Sequence, residues 1–130
     1  MKTNIEIVQE GYMEFGKGNI PALLDLLDEN VVWELPATAD VSFSGVFTGK
    51  NEVMRFFQNV GASNDFHDFK VEKLLADDST VIALGSLTAT AKPTGKTSSN
   101  KWAHRWEIQN GKVTQHYEYV DSAEIRNAFH

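Results

Sequence analysis

The dipeptide Asn110-Gly111, set between two alternating runs at 100–109 and 112–121, constrains this chain more than any other feature. Both central residues of a two-residue type I′ hairpin need positive φ, which Asn and Gly tolerate, so a hairpin is predicted here. Its regular register has Gln109 facing Lys112 and pairs Ile108 with Val113, Trp106 with Gln115, His104 with Tyr117, and Trp102 with Tyr119. These residues share a face with Asp121, while Arg105, Glu107, Thr114, His116 and Glu118 take the other. The aromatic face is expected to lie beneath the helices, because burial is favourable by roughly 25 cal/mol per Å² of apolar surface. The polar face with Arg105, His116 and Glu118 is expected outside, as a solvated or homodimer surface.

Upstream, Thr3 and Glu6 stand at capping-box spacing before Ile5, Val8, Tyr12 and Phe15, which predicts an amphipathic helix ending near Gly16 to Gly18. Asn19 caps a second helix, with Pro21 in its first turn and Leu23, Leu24 and Leu27 inward, stopping around Asn30. Val31 to Leu35 reads as a strand that Pro36 turns into a loop. Val53, Phe56, Phe57 and Val60 give a third helix closing at Gly61. Strands follow at Phe69 to Leu75, Thr80 to Ala91, Asn100 to Gln109 and Lys112 to Asp121, then a short helix from Ser122 to Phe129. Helices early and hairpin-linked strands late predict an α+β fold with about three helices packed on a mostly antiparallel sheet.

With 130 residues, 42% of them hydrophobic, and no internal repeat or linker, a single domain over 1–130 is expected. The net charge of −6, with scattered basic residues, argues against nucleic acid or anionic membrane as partner. No apolar run is long enough to span a bilayer. Absent cysteine removes thiolate chemistry and fits a cytoplasmic setting. His67, His104, His116 and His130 lack metal-ligand spacing, and Gly95-Lys96-Thr97 lacks the upstream glycine of a phosphate loop, so neither metal nor cofactor is expected.

Two ionisable groups, two tyrosine hydroxyls and several aromatic rings on one face suggest a pocket dotted with polar groups rather than a dry core. For His104 a hydrogen-bonded core role stands beside a catalytic one, and for Asp121 a helix N-cap role does. In the regular register Asp121 lies about 13 Å along its strand from Tyr117, the partner of His104, so the two would address different ends of one ligand.

The chain resembles the SnoaL-like polyketide cyclase and ketosteroid isomerase-related branch of the nuclear transport factor 2-like superfamily. The resemblance runs through Val32-Trp33-Glu34-Leu35-Pro36, Phe43-Ser44-Gly45 to Gly49-Lys50, Val53 to Phe57, Ala103-His104-Arg105-Trp106, Gly111-Lys112-Val113, and Tyr117-Glu118-Tyr119-Val120-Asp121. It implies a conical roll with a deep pocket at its open end and dimerisation through the outer sheet face. Activities in the superfamily range from isomerases, cyclases, epoxide hydrolases and dehydratases to binding modules. Asp121 matches the acid–base aspartate of the polyketide cyclase members, and His104 matches a pocket histidine. Leu35 stands where ketosteroid isomerases carry their base, and the Arg and Asp pair of the epoxide hydrolases is missing.

The function expected is therefore proton transfer beside a carbonyl of a hydrophobic compound, steroid- or polyketide-like. Asp121 and His104 would exchange protons, and Trp33, Trp102, Trp106, Tyr117, Tyr119 and Phe57 would hold the substrate. A non-catalytic ligand-binding or dimerisation domain is the alternative.

Overall fold

The computed structural model describes residues 1–130. Helix α1 (Asn4–Gly16) opens on the expected capping box: the Glu6 amide donates to the Thr3 hydroxyl, and the Thr3 amide to the Glu6 carboxylate. Helix α2 (Ile20–Leu24) is capped by Asn19, as expected, but ends at Leu24 rather than near Asn30. Leu27 still turns inward, yet it does so as the first residue of strand β1 (Leu27–Leu35). A short turn of helix (Ala37–Ala39) follows, then strand β2 (Gly45–Thr48), which the sequence had suggested was loop. Helix α3 (Lys50–Ser63) leads into β3 (Asn64–Asp77), β4 (Thr80–Ala91), β5 (Thr97–Gln109), β6 (Lys112–Val120) and helix α4 (Ser122–Phe129).

The six strands form one curved sheet in the order β2-β1-β6-β5-β4-β3. Every neighbouring pair is antiparallel except β1 with β6. Ile7 and Val8 from α1, Leu23 from α2, and Val53, Phe56 and Val60 from α3 pack on Trp33, Val81, Trp106, Ile108 and Val113 of the sheet. Ile125 and Phe129 of α4 close against the same core. No helix is long and apolar enough to cross a membrane.

The hairpin turn is as read: Asn110 has φ 51° and Gly111 φ 76°. The register beyond it is not. Pairing starts with Gln109 to Lys112 and Ile108 to Val113, then resumes with Glu107 opposite Gln115, Trp106 opposite His116, Arg105 opposite Tyr117, and His104 opposite Glu118. Thr114 is the extra residue of a β-bulge, and its hydroxyl donates to the Glu107 carbonyl at 3.3 Å. Because side chains alternate with period two, one added residue exchanges the faces of everything that follows. Tyr117 and Tyr119 therefore turn outward, and His116 and Glu118 turn in.

Gly85 on β4 permits a further close approach. A Cβ there would stand 2.2 Å from Cζ2 of Trp102 and 2.1 Å from the Lys70 carbonyl oxygen. Without one, the Trp102 indole lies flat across the strand and forms a stack with Phe69 and His104, at centroid distances of 5.1 and 3.9 Å.

Candidate functional site

Between the helices and the inner sheet face lies a cavity of about 110 Å³. Phe15, Trp33, Phe56, Phe57, Phe69 and Trp106 make its aromatic wall, and His104, His116, Glu118, Asn64, Ser98 and Asn100 are the polar groups among them.

The polar groups near β5 and β6 form a directed chain. An indole nitrogen only donates, so Trp106 Nε1–H gives its hydrogen bond to the Tyr12 hydroxyl oxygen at 3.0 Å. The Tyr12 hydroxyl lies 2.7 Å from His104 Nδ1. The Tyr12 hydrogen has no other acceptor, so with a neutral His104 it is given to the Nδ1 lone pair, the arrangement that puts the His104 proton on Nε2. That nitrogen faces Glu118 Oε1 at 3.4 Å, with both side chains largely buried. Burial raises the Tyr12 hydroxyl well above its ordinary pKa, and the Trp106 bond only partly opposes this, so the phenol stays a donor.

His116 is the most enclosed ionisable side chain of the site, at 3% exposure. The parallel pairing of Trp33 with His116 lays the two rings face to face, 3.8 Å apart and 6° from coplanar. Trp106 meets the imidazole edge-on at 4.6 Å and His104 lies at 4.7 Å. Burial, and after it the neighbouring His104, holds the His116 pKa well below its ordinary value of 6.5. Its Nδ1 is buried without a hydrogen-bond partner, as is Nε1 of Trp102.

The structure sorts the residues expected from the sequence into three groups. Trp33, Trp106, Phe57 and His104 line the cavity, whereas Trp102 is buried behind the His104 ring. Tyr117 and Tyr119 do not line it, because the bulge turns them outward and leaves Tyr119 49% exposed. Asp121 does not line it either. It is the exposed N-cap of α4, its Oδ1 accepting from the amides of Ala123 and Glu124 at 3.1 and 3.2 Å. Sequence reasoning missed His116 and Glu118 as pocket residues. The visible hint was Gln115, which the regular register would have buried opposite Trp106 among apolar neighbours. A buried amide there has no evident partner, and a bulge at Thr114 removes the conflict.

An aromatic-walled cavity with a few buried polar groups thus lies under the curved sheet of an α+β fold. The chain belongs to the SnoaL-like domain family, which it matches over residues 8–116, and it has the NTF2-like fold. Patulin biosynthesis cluster protein F of Penicillium expansum is 29% identical over 73 residues, which are 56% of this chain and 37% of that protein. The chain thus spans little more than a third of that relative's length. An NTF2-like protein from Burkholderia thailandensis superposes with a TM-score of 0.92 at 24% identity, covering 100% of this chain and 99% of the other. TerC co-crystallised with polyporic acid superposes with a TM-score of 0.85 at 19% identity, covering 97% of each chain. At these identities the likeness to the solved structures is one of fold.

The depressed His116 pKa has a consequence for stability. Below pH 6.5 the unfolded chain takes up a proton that folded His116 refuses, so stability falls as the pH drops from there toward the folded value. The slope is at most about 1.4 kcal/mol per pH unit. Urea unfolding of wild type and His116→Phe between about pH 7 and pH 5 should show wild type losing on the order of 1–2 kcal/mol more than the variant. A difference between them that does not change with pH would contradict a neutral, desolvated His116.

Proposed function

We propose that this protein is an acid–base enzyme that moves a proton at a carbon next to a carbonyl in a hydrophobic compound, as an isomerase, cyclase or lyase does. The observation that carries the reading is the His104–Glu118 pair at the base of an apolar cavity, with His104 held in one tautomer by Tyr12. Glu118 takes the proton from the substrate carbon. His104 Nε2 lies 3.4 Å from its carboxylate, and Tyr12 and Trp106 orient His104. The proton then returns to the carbon skeleton from Glu118 at the end of the step. No cluster of three or more His, Asp or Glu is arranged to hold a metal ion.

At about 110 Å³ the cavity is smaller than the roughly 150 Å³ apolar cavity that holds one benzene, so even a single-ring carbonyl enters only with a small outward shift of the wall. A steroid- or polyketide-sized substrate needs Phe57 and the part-exposed Phe66 at the wall to swing aside. Polyporic acid in TerC, and the place of the Penicillium relative in a patulin biosynthesis cluster, are in keeping with an oxygenated small molecule as ligand. A cytoplasmic setting belongs to the same proposal.

One observation favours non-catalytic binding. Asp121, the residue that resemblance puts forward for chemistry, is occupied in capping α4. The outer sheet face supports a homodimer in either case, since Leu84, Ala103 and Tyr119 lie in one cross-strand row and Tyr117 packs on Tyr119 at 4.6 Å.

Exchange of α-protons for deuterium, followed by proton NMR on cyclohexenones and small β-diketones, tests the chemistry without knowledge of the product. Wild type should accelerate exchange, Glu118→Gln should lose roughly 10²–10⁴-fold of the acceleration, and Asp121→Asn should retain it. Binding without any acceleration would leave a carrier. Equilibrium sedimentation should give a dimer for wild type and a monomer for Tyr119→Arg, and a wild-type monomer would remove the interface.

A further inference from the structure

The His116 imidazole has no part in the Tyr12–His104–Glu118 chain, yet it is more deeply enclosed than any of its members. Trp33 covers one face, while Trp106 and His104 bound its edges. Nδ1 is wholly buried and has no partner. Nε2 is not one of the buried unpaired atoms, and His116, which keeps 3% of its surface, lines the cavity. A proton on Nδ1 would leave a buried N–H unpaired, whereas a proton on Nε2 points into the cavity, where a ligand can accept it. The neutral ring with Nε2 protonated is the form this enclosure selects.

We infer that His116 is a catalytic residue of the proposed reaction: as a neutral imidazole it donates Nε2–H to the carbonyl oxygen of the substrate and stabilises the enolate formed there. The inference rests on the proton-transfer reading above and names the group that polarises the carbonyl. In that step the α-carbon gives its proton to a Glu118 oxygen. The C–H electron pair becomes the C=C bond, and the C=O π pair moves onto the oxygen facing His116. Reprotonation at carbon by Glu118 restores the carbonyl, so no oxidant or other reactant is consumed. The spacing is suitable. His116 and Glu118 are two residues apart on one strand face, about 6.6 Å, a gap that a carbonyl oxygen and its α-carbon can bridge with one contact at each end. A neutral donor also leaves no buried positive charge in the apolar wall, which a protonated histidine would require.

Two measurements test this. Nitrogen-15 NMR of the free wild-type protein near neutral pH should find His116 uncharged, with Nε2 protonated and Nδ1 bare; the Nδ1-protonated tautomer or a charged ring overturns the inference. Isotope-edited infrared spectroscopy of carbonyl-13C 2-cyclohexen-1-one should place the bound C=O band in wild type at or below its position in water. In His116→Phe, which keeps an aromatic ring against Trp33, the band should move up toward its position in hydrocarbon, with affinity reduced no more than about tenfold. The same band in both proteins overturns the inference while leaving the cavity reading intact. Failure of wild type to bind this ketone or any other small carbonyl compound would sink the cavity reading and this inference together, whatever tautomer is found.

Discussion

The polar lining of the pocket depends on one irregularity, the extra residue Thr114 in the β5–β6 ladder. Without it, two tyrosines would face the helices, and His116 and Glu118 would lie on the outer surface. With it, a histidine stacks on Trp33 and a carboxylate meets His104 under the helices. A bulge leaves one residue outside the regular ladder, a local cost that burial of the aromatic inner face offsets. The Thr114 hydroxyl, bonded to the Glu107 carbonyl, recovers part of the lost hydrogen bonding at the bulge itself.

Around that bulge the polar groups are arranged by what surrounds them. A tyrosine, an indole and an imidazole sit together because each has a hydrogen-bond partner, Trp106 to Tyr12 and Tyr12 to His104, and the Glu118 carboxylate lies 3.4 Å from His104 Nε2. Such networks hold a unique arrangement when fully paired, and they are costly when a member is orphaned. His116 Nδ1 and Trp102 Nε1 are orphans, and His116 accommodates this by remaining neutral. Asp121 is a helix cap, as one of its two readings held. His104 is hydrogen-bonded in the core, as its structural reading held, and it also lines the cavity.

Much of the fold was legible because its signals are local. The Thr3 and Glu6 capping box, the Asn19 cap, the i, i+3, i+4, i+7 spacing of Val53 to Val60 and the Asn110-Gly111 turn each act within a few residues. What escaped depends on partners far along the chain. Strand β2 is four residues long and exists by pairing with β1, while α2 gives way to β1 after Leu24 because Leu27 is taken up opposite Val113. The site was half legible for the same reason. The alternation along β5 correctly turned Trp102, His104 and Trp106 inward, but alternation carried across the hairpin onto β6 failed at a bulge whose one hint was the misfit of Gln115.

Cross-strand backbone NOEs in the native protein test the register most directly. A ladder with Thr114 bulged predicts contacts of Trp106 with His116 and of His104 with Glu118. Contacts of Trp106 with Gln115 and of His104 with Tyr117 would mean an unbulged hairpin, with His116 and Glu118 outside the pocket and no site of the kind described.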